Sequence, residues 1–294
     1  MRTVNRRDFL QLAAAPLFAQ LPALERRRTF EITTRIQILK PAGPTRVWLP
    51  MPLAVAPYQN TLGDTYHAPG GSAVMVENDD LDILIAEWDE GVEPILTVTN
   101  RVSTTDRTAN LTTPTVPPPL DAHVLDRFLR PTKLIPTDAM VKTKADAITR
   151  GQGTDFERAR AIYDWVVART AVDSDTRVDP NVLVVHLART SAIPARCVWG
   201  LGLASSNATK AQQCRAEVYL TGYGWVPVDA TTARLFGSWE MNWIAFNYAR
   251  DVVLPRSKRG TLGFFMYPQA ETANGRLDSL DPETFKYQIT TNEL

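Results

Sequence analysis

Asp179-Pro180-Asn181-Val182-Leu183-Val184-Val185-His186-Leu187-Ala188-Arg189-Thr190-Ser191 opens like a helix, and the strand-like runs after it decide the fold. An aspartate able to accept from free backbone N–H groups precedes a proline whose fixed φ suits the first helical position. The apolar run behind it continues to about Ser191, and Pro194 ends it. Cys197 to Leu203, Cys214 to Leu220 and Gly224 to Asp229 then read as three strands separated by turn residues. A helix followed by antiparallel strands is an α+β arrangement.

Working outward, Thr154 and Glu157 form a capping-box pattern. Phe156, Ala159, Ile162, Tyr163 and Val166 recur behind it at helical spacing, predicting a helix to about Thr170. Earlier, Phe30, Ile32, Thr34, Ile36 and Ile38 alternate with Glu31, Thr33, Arg35 and Gln37, the period of a strand with one face on a core. Val47 to Leu49, Leu81 to Trp88 and Ile95 to Val102 add strand-like runs, so residues 28–105 are expected to form an antiparallel, sandwich-like β domain. The four prolines between Thr112 and Pro119 read as an extended linker, and residues 106–150 as that linker with a helical connection. Trp239, Trp243, Phe246 and Tyr248 have helical spacing and are expected to cover the sheet or to line a ligand groove.

Composition excludes several functions. The 32 basic and 32 acidic residues cancel without long single-sign runs, which argues against nucleic acid as a partner. Cys197 and Cys214 with the scattered His67, His123 and His186 make no zinc-site spacing, so neither metal nor other cofactor is expected. At the start, Asn5-Arg6-Arg7-Asp8-Phe9-Leu10 and the Ala-rich run to Ala19 resemble a twin-arginine export signal over residues 1–23. The resemblance implies a periplasmic or secreted protein. About ten apolar residues are too few to cross a bilayer, so no membrane span is expected once the signal is removed.

Ala188-Arg189-Thr190-Ser191-Ala192-Ile193-Pro194-Ala195-Arg196, Lys210 to Leu220 and Gly222 to Asp229 together resemble the transglutaminase-like superfamily, the papain-type Cys-His-Asp fold. Phe30 to Leu53, Leu235 to Trp243 and Met266 to Thr272 resemble one bacterial subgroup of it. The resemblance implies a transglutaminase-like domain with a C-terminal extension over residues 151–294. It also implies a nucleophilic cysteine at the start of the core helix, a histidine on the next strand and an aspartate on the third. A helix N-terminus and a neighbouring imidazolium can lower a thiol pKa from about 8.5 to roughly 3.5–7.5. Counted back without gaps from Ile193, the cysteine position is held here by Arg177, and the histidine position by Gln213. Asp229 keeps the family identity, Asp179 and Asn181 fall on the acidic and polar positions after the cysteine, and the loop before Arg177 is short, as after a deletion.

Arg177 is no nucleophile and Gln213 has no titrating proton. Loss of a triad nucleophile alone costs a factor on the order of a million in turnover. The expectation is therefore a catalytically degenerate envelope protein, with peptide or envelope polymer as ligand in the remnant cleft. Two alternatives stand beside it: an active cysteine hydrolase or acyltransferase with a displaced thiol such as Cys214, and a structural partner of another envelope protein. Cys197 and Cys214 otherwise read as small buried hydrophobes, and His186 as a structural histidine. If the strands of Cys197 and Cys214 pair as a hairpin centred between Ser205 and Ser206, the two stand opposite each other, a geometry that an oxidising compartment would let close as a disulfide.

Overall fold

The computed structural model describes residues 26–78, 80–115, 120–136, 139–172, 178–231, 234–257 and 260–294. The chain begins in strands: β1 (Arg27–Ile38), β2 (Thr45–Pro50), β3 (Val55–Ala56), β4 (Gln59–His67), β5 (Ser72–Val76), β6 (Ile83–Trp88), β7 (Ile95–Thr105) and β8 (Arg107–Thr108). Helices come next: α1 (Ala122–Arg127), α2 (Ala139–Ile148), α3 (Asp155–Val172) and α4 (Pro180–Thr190). The chain then returns to strands: β9 (Ala195–Gly202), β10 (Gln212–Leu220), β11 (Gly224–Asp229), β12 (Leu235–Phe236), β13 (Ser238–Trp239) and β14 (Trp243–Asn247). Last come β15 (Gln269–Thr272), β16 (Gly275–Leu277) and β17 (Phe285–Glu293). This is the α+β class expected from the sequence.

Two sheets, ordered β17-β1-β7-β4-β3 and β16-β15-β2-β6-β5, enclose a core of Ile36, Ile38, Val47, Leu84, Leu96, Val98 and Phe285. Each therefore mixes early strands with strands from the last 26 residues; Phe30 to Ile38 pair residue by residue with Phe285 to Glu293. Alternation in β1 is what lets this happen, because Phe30, Ile32, Ile36 and Ile38 point one way and are all at most 2% exposed.

A third sheet, ordered β12-β11-β10-β9-β14, positions the site. Cys197, Cys214, Ala216, Val218, Val226 and Val228 point to its helical side, against Ala159, Ile162 and Val166 of α3 and Val184, Val185 and Ala188 of α4. Val198, Trp243 and Ala245 point to its other side, against Leu53, Tyr58 and Trp239. The capping box at the head of α3 forms as expected: Glu157 N–H donates to Thr154 Oγ1 at 3.1 Å, and Thr154 N–H to Glu157 Oε2 at 2.9 Å.

Two local expectations are corrected. Trp239, Trp243, Phe246 and Tyr248 lie on and after strands β13 and β14, not on a helix. They are split between faces, with Trp243 beside Tyr58 and Phe246 beside Phe30. Helical spacing arises because a break at Glu240 to Asn242 separates two short strands. The β9–β10 register also differs from the expected one: Cys214 stands opposite Trp199, and Cys197 opposite Ala216. The thiols are diagonal neighbours on one face, and both are free and buried. Diagonal strand positions stand about 7–8 Å apart, beyond the span an unstrained disulfide bridges.

Candidate functional site

The head of α4 meets the sheet where β10 and β11 part. Their ladder ends at Ala216 opposite Val228, and Cys214 and Ala230, two places further along the same register, lie beyond it. The Asn181 carboxamide stands between them: its Nδ2 donates to the Cys214 carbonyl at 2.9 Å, and its Oδ1 accepts from Ala230 N–H at 2.8 Å. One side-chain amide thus stands in for a missing peptide unit. Asn181 is fully buried, and its one signal in the sequence is that it falls on the polar position that follows the cysteine position in the resemblance.

Asp179 caps α4 by accepting from Asn181 N–H at 2.8 Å and Val182 N–H at 3.3 Å. Burial holds its carboxyl above the usual aspartate range, against those two bonds and with the Asp229 charge adding to the rise. Asp229, at the end of β11 and 1% exposed, has its Oδ1 taken by Thr231 N–H at 2.8 Å, Thr231 Oγ1 at 2.6 Å and Asn181 Nδ2 at 3.4 Å. Its Oδ2 faces Arg215 Nε at 3.8 Å, close enough for attraction and too far for a hydrogen bond. Burial pushes the Arg215 guanidinium down, with Asp229 partly offsetting it, and the Trp243 ring lies 4.7 Å below.

Gln213 precedes Cys214 on β10 and stands opposite Gly200, on the face that carries Arg215 and Glu217. Its amide nitrogen fills the space a side chain on Gly202 would need. A Cβ on Gly200 would fall on the Ile244 carbonyl and the Trp243 ring, so glycine there is a condition of the fold. Arg177 lies outside the described residues. His186 bonds the Pro136 carbonyl through Nε2 at 2.9 Å, and His67 and His123 are exposed on β4 and α1. Every cysteine and histidine of the chain lies among the described residues, and no imidazole is bonded to Asp229.

Cys214 is 1% exposed and points into the helical core. Burial pushes its thiol well up, with the adjacent Cys197 thiol adding to the rise. A thiolate is therefore disfavoured where the sequence offered one as a displaced nucleophile.

On the same face as Gln213, sequence reasoning missed a second cluster. Glu217, fully buried, pairs with Arg196 Nε at 2.5 Å and with Arg107 Nη1 at 2.7 Å. The Arg196 guanidinium lies 3.8 Å over the Tyr248 ring and 4.2 Å over that of Trp225, and Tyr248 shares a 2.9 Å hydrogen bond with Tyr58. Burial acts to lower Arg196, yet Glu217 and the tyrosines more than offset it. This well-paired guanidinium contrasts with Arg215. Among the described residues, no group of His, Cys, Asp and Glu is arranged to hold a metal ion.

A core helix capped by aspartate, packed on antiparallel strands whose third member ends in a buried carboxylate, defines the papain-like, transglutaminase type of domain. Residues 178–230 match the sequence profile of the transglutaminase-like superfamily, a stretch that begins one residue past Arg177. That stretch of the chain is similar to the superfamily over the core helix and the three strands that follow it. It is 28% identical to an uncharacterized protein of Haemophilus influenzae, in an alignment covering 90% of this chain and 91% of the relative. That alignment spans 338 positions, whereas 90% of 294 residues is about 265, so the relative carries roughly 70 positions that this chain lacks. The crystal structure of a proposed cysteine protease from Cytophaga hutchinsonii shares the fold, with a TM-score of 0.55 and 15% identity over 92% of this chain and 88% of that one.

Proposed function

We propose that this is a catalytically degenerate transglutaminase-like protein of the bacterial envelope, whose remnant cleft at the head of α4 binds peptide or envelope polymer rather than cleaving it. One observation carries the reading: the retained Asp229 is bonded by a hydroxyl and amide groups and faces a guanidinium, while every thiol and imidazole of the chain is engaged or exposed elsewhere. An orienting carboxylate without an imidazole has no base to orient, and triads act as units.

A thiol-reactive peptide probe applied to the folded full chain is expected to label neither cysteine, and both are expected to label after denaturation. Labelling of the folded protein that disappears on Asp229→Asn would overturn the reading. Any turnover of amide or ester substrates that Cys214→Ser abolishes would establish the displaced-thiol enzyme instead.

The envelope location rests on the N-terminal Arg6-Arg7 and the apolar run behind it, which lie outside the described residues. Replacing both arginines by lysine is expected to leave the protein in the cytoplasmic fraction of a bacterial host. Unchanged export of that variant would sink the twin-arginine route. No helix among the described residues is long and apolar enough to cross a membrane.

A further inference from the structure

Arg189, in the last turn of α4, is 8% exposed, yet among the described residues no carboxylate pairs with it. Its Nε donates to the Ala195 carbonyl at 2.8 Å and its Nη1 to the Arg130 carbonyl at 3.4 Å, which leaves Nη2 with no partner among the described residues. Burial pushes this guanidinium down to about 10, with attraction from Cys197 and Asp251 only partly offsetting it. A buried cation held by neutral acceptors alone is costly, and an anion beside it would offset that cost.

Such a place exists next to it. A cavity of about 190 Å³ is lined by Leu129, Pro131, Ile135, Pro136, Lys142, His186, Arg189 and Thr190. Four walls are apolar, three side chains are basic types, and among the described residues no lining side chain is acidic. The Lys142 ammonium reaches its rim from α2, where its own partner is Asp146 at 2.9 Å, an exposed pair of the kind worth little and readily exchanged. His186 presents its ring with Nε2 committed to the Pro136 carbonyl. Thr190 donates its hydroxyl to the His186 carbonyl at 2.8 Å. A planar guanidinium fork with aliphatic and proline walls matches a carboxylate attached to a short apolar group, and the volume holds only a few heavy atoms.

We infer that this pocket is a binding site for a small carboxylate bearing a short aliphatic part, gripped by Arg189 with Lys142 closing the rim. The site is separate from the remnant cleft, so its failure would leave the reading of Asp229 untouched. The carboxylate has two sources: a free short-chain acid or the C-terminal residue of a peptide. Titration of the full chain with butyrate and, separately, with N-acetylalanine, followed through the methyl resonances of Leu129 and Ile135, tests the assignment and its source. Saturation by butyrate alone assigns the free acid, by N-acetylalanine alone the peptide end, and by both a general carboxylate site. Lys142→Glu, at an exposed position that leaves the core intact, is expected to weaken binding about tenfold at an unchanged melting temperature. Butyramide, neutral and of the same shape, is expected not to saturate. No saturation by either acid up to about 50 mM, equal binding of butyramide, or undiminished binding by Lys142→Glu would each overturn the proposal; 50 mM lies well above the millimolar range in which even a weak specific site fills.

Discussion

Replacing Glu217 by alanine is expected to destabilise the protein by about 3–5 kcal/mol, the cost of breaking a buried ion pair from one side. Glu217 has no solvent exposure, and its Oε2 pairs with Arg196 while its Oε1 pairs with Arg107. Removing it leaves two largely buried guanidiniums without their shared counter-charge beside the Tyr58, Trp225 and Tyr248 rings. Cation–π contact recovers about 2 kcal/mol at best for each, too little against the loss. Melting should fall by roughly 10 °C for a chain of this size. Glu31→Ala, which breaks an exposed pair with Arg101, serves as the control and should cost under about 1 kcal/mol. A Glu217→Ala variant as stable as that control would show that the buried network contributes nothing net.

Asn181→Leu is expected to cost about 2–4 kcal/mol although it keeps nearly the same volume. The new side chain leaves the Cys214 carbonyl and the Ala230 N–H without partners in a dry interior, and each orphaned group costs about 1–3 kcal/mol. The damage should be local before it is global: in hydrogen exchange, the Ala230 amide, protected in the parent, should exchange far faster, while amides in β1 and β7 keep their protection. Denaturant unfolding gives the total. A change below about 0.5 kcal/mol, or an Ala230 amide that stays protected, would refute the bridging role.

How much of the fold and site is legible in the sequence depends on the range of the interaction. Asp179-Pro180 and the Thr154/Glu157 box announce helix starts because a cap forms between residues two or three apart. The alternation in β1 survives because a strand's faces repeat every second residue. Both signals are local. The hairpin centre lies one residue beyond the expected point between Ser205 and Ser206 because the loop from Leu203 to Ala211 is not a bare turn. Its Ala208 N–H bonds the Ile289 carbonyl and Thr291 N–H bonds the Ser206 carbonyl, so β17, some 80 residues away, takes part in setting where the strands meet. The aromatic set misleads for a related reason: spacing across a break between two strands can imitate a helical period.

Sequence alone determined the class of the domain and the residue types at the positions where the resemblance expects a reaction centre, since caps, alternation and the residues at 213 and 229 are properties of the chain itself. Only the tertiary structure decided what those residues now touch. Asn181 became a strand bridge because β10 and β11 diverge there. Glu217 became the anchor of two arginines because Arg107 arrives from the N-terminal strands. Asp229 faces Arg215 because the two occupy neighbouring positions on paired strands. Partners distant in sequence are chosen by packing, and packing energies are summed over the whole fold before any one contact is settled.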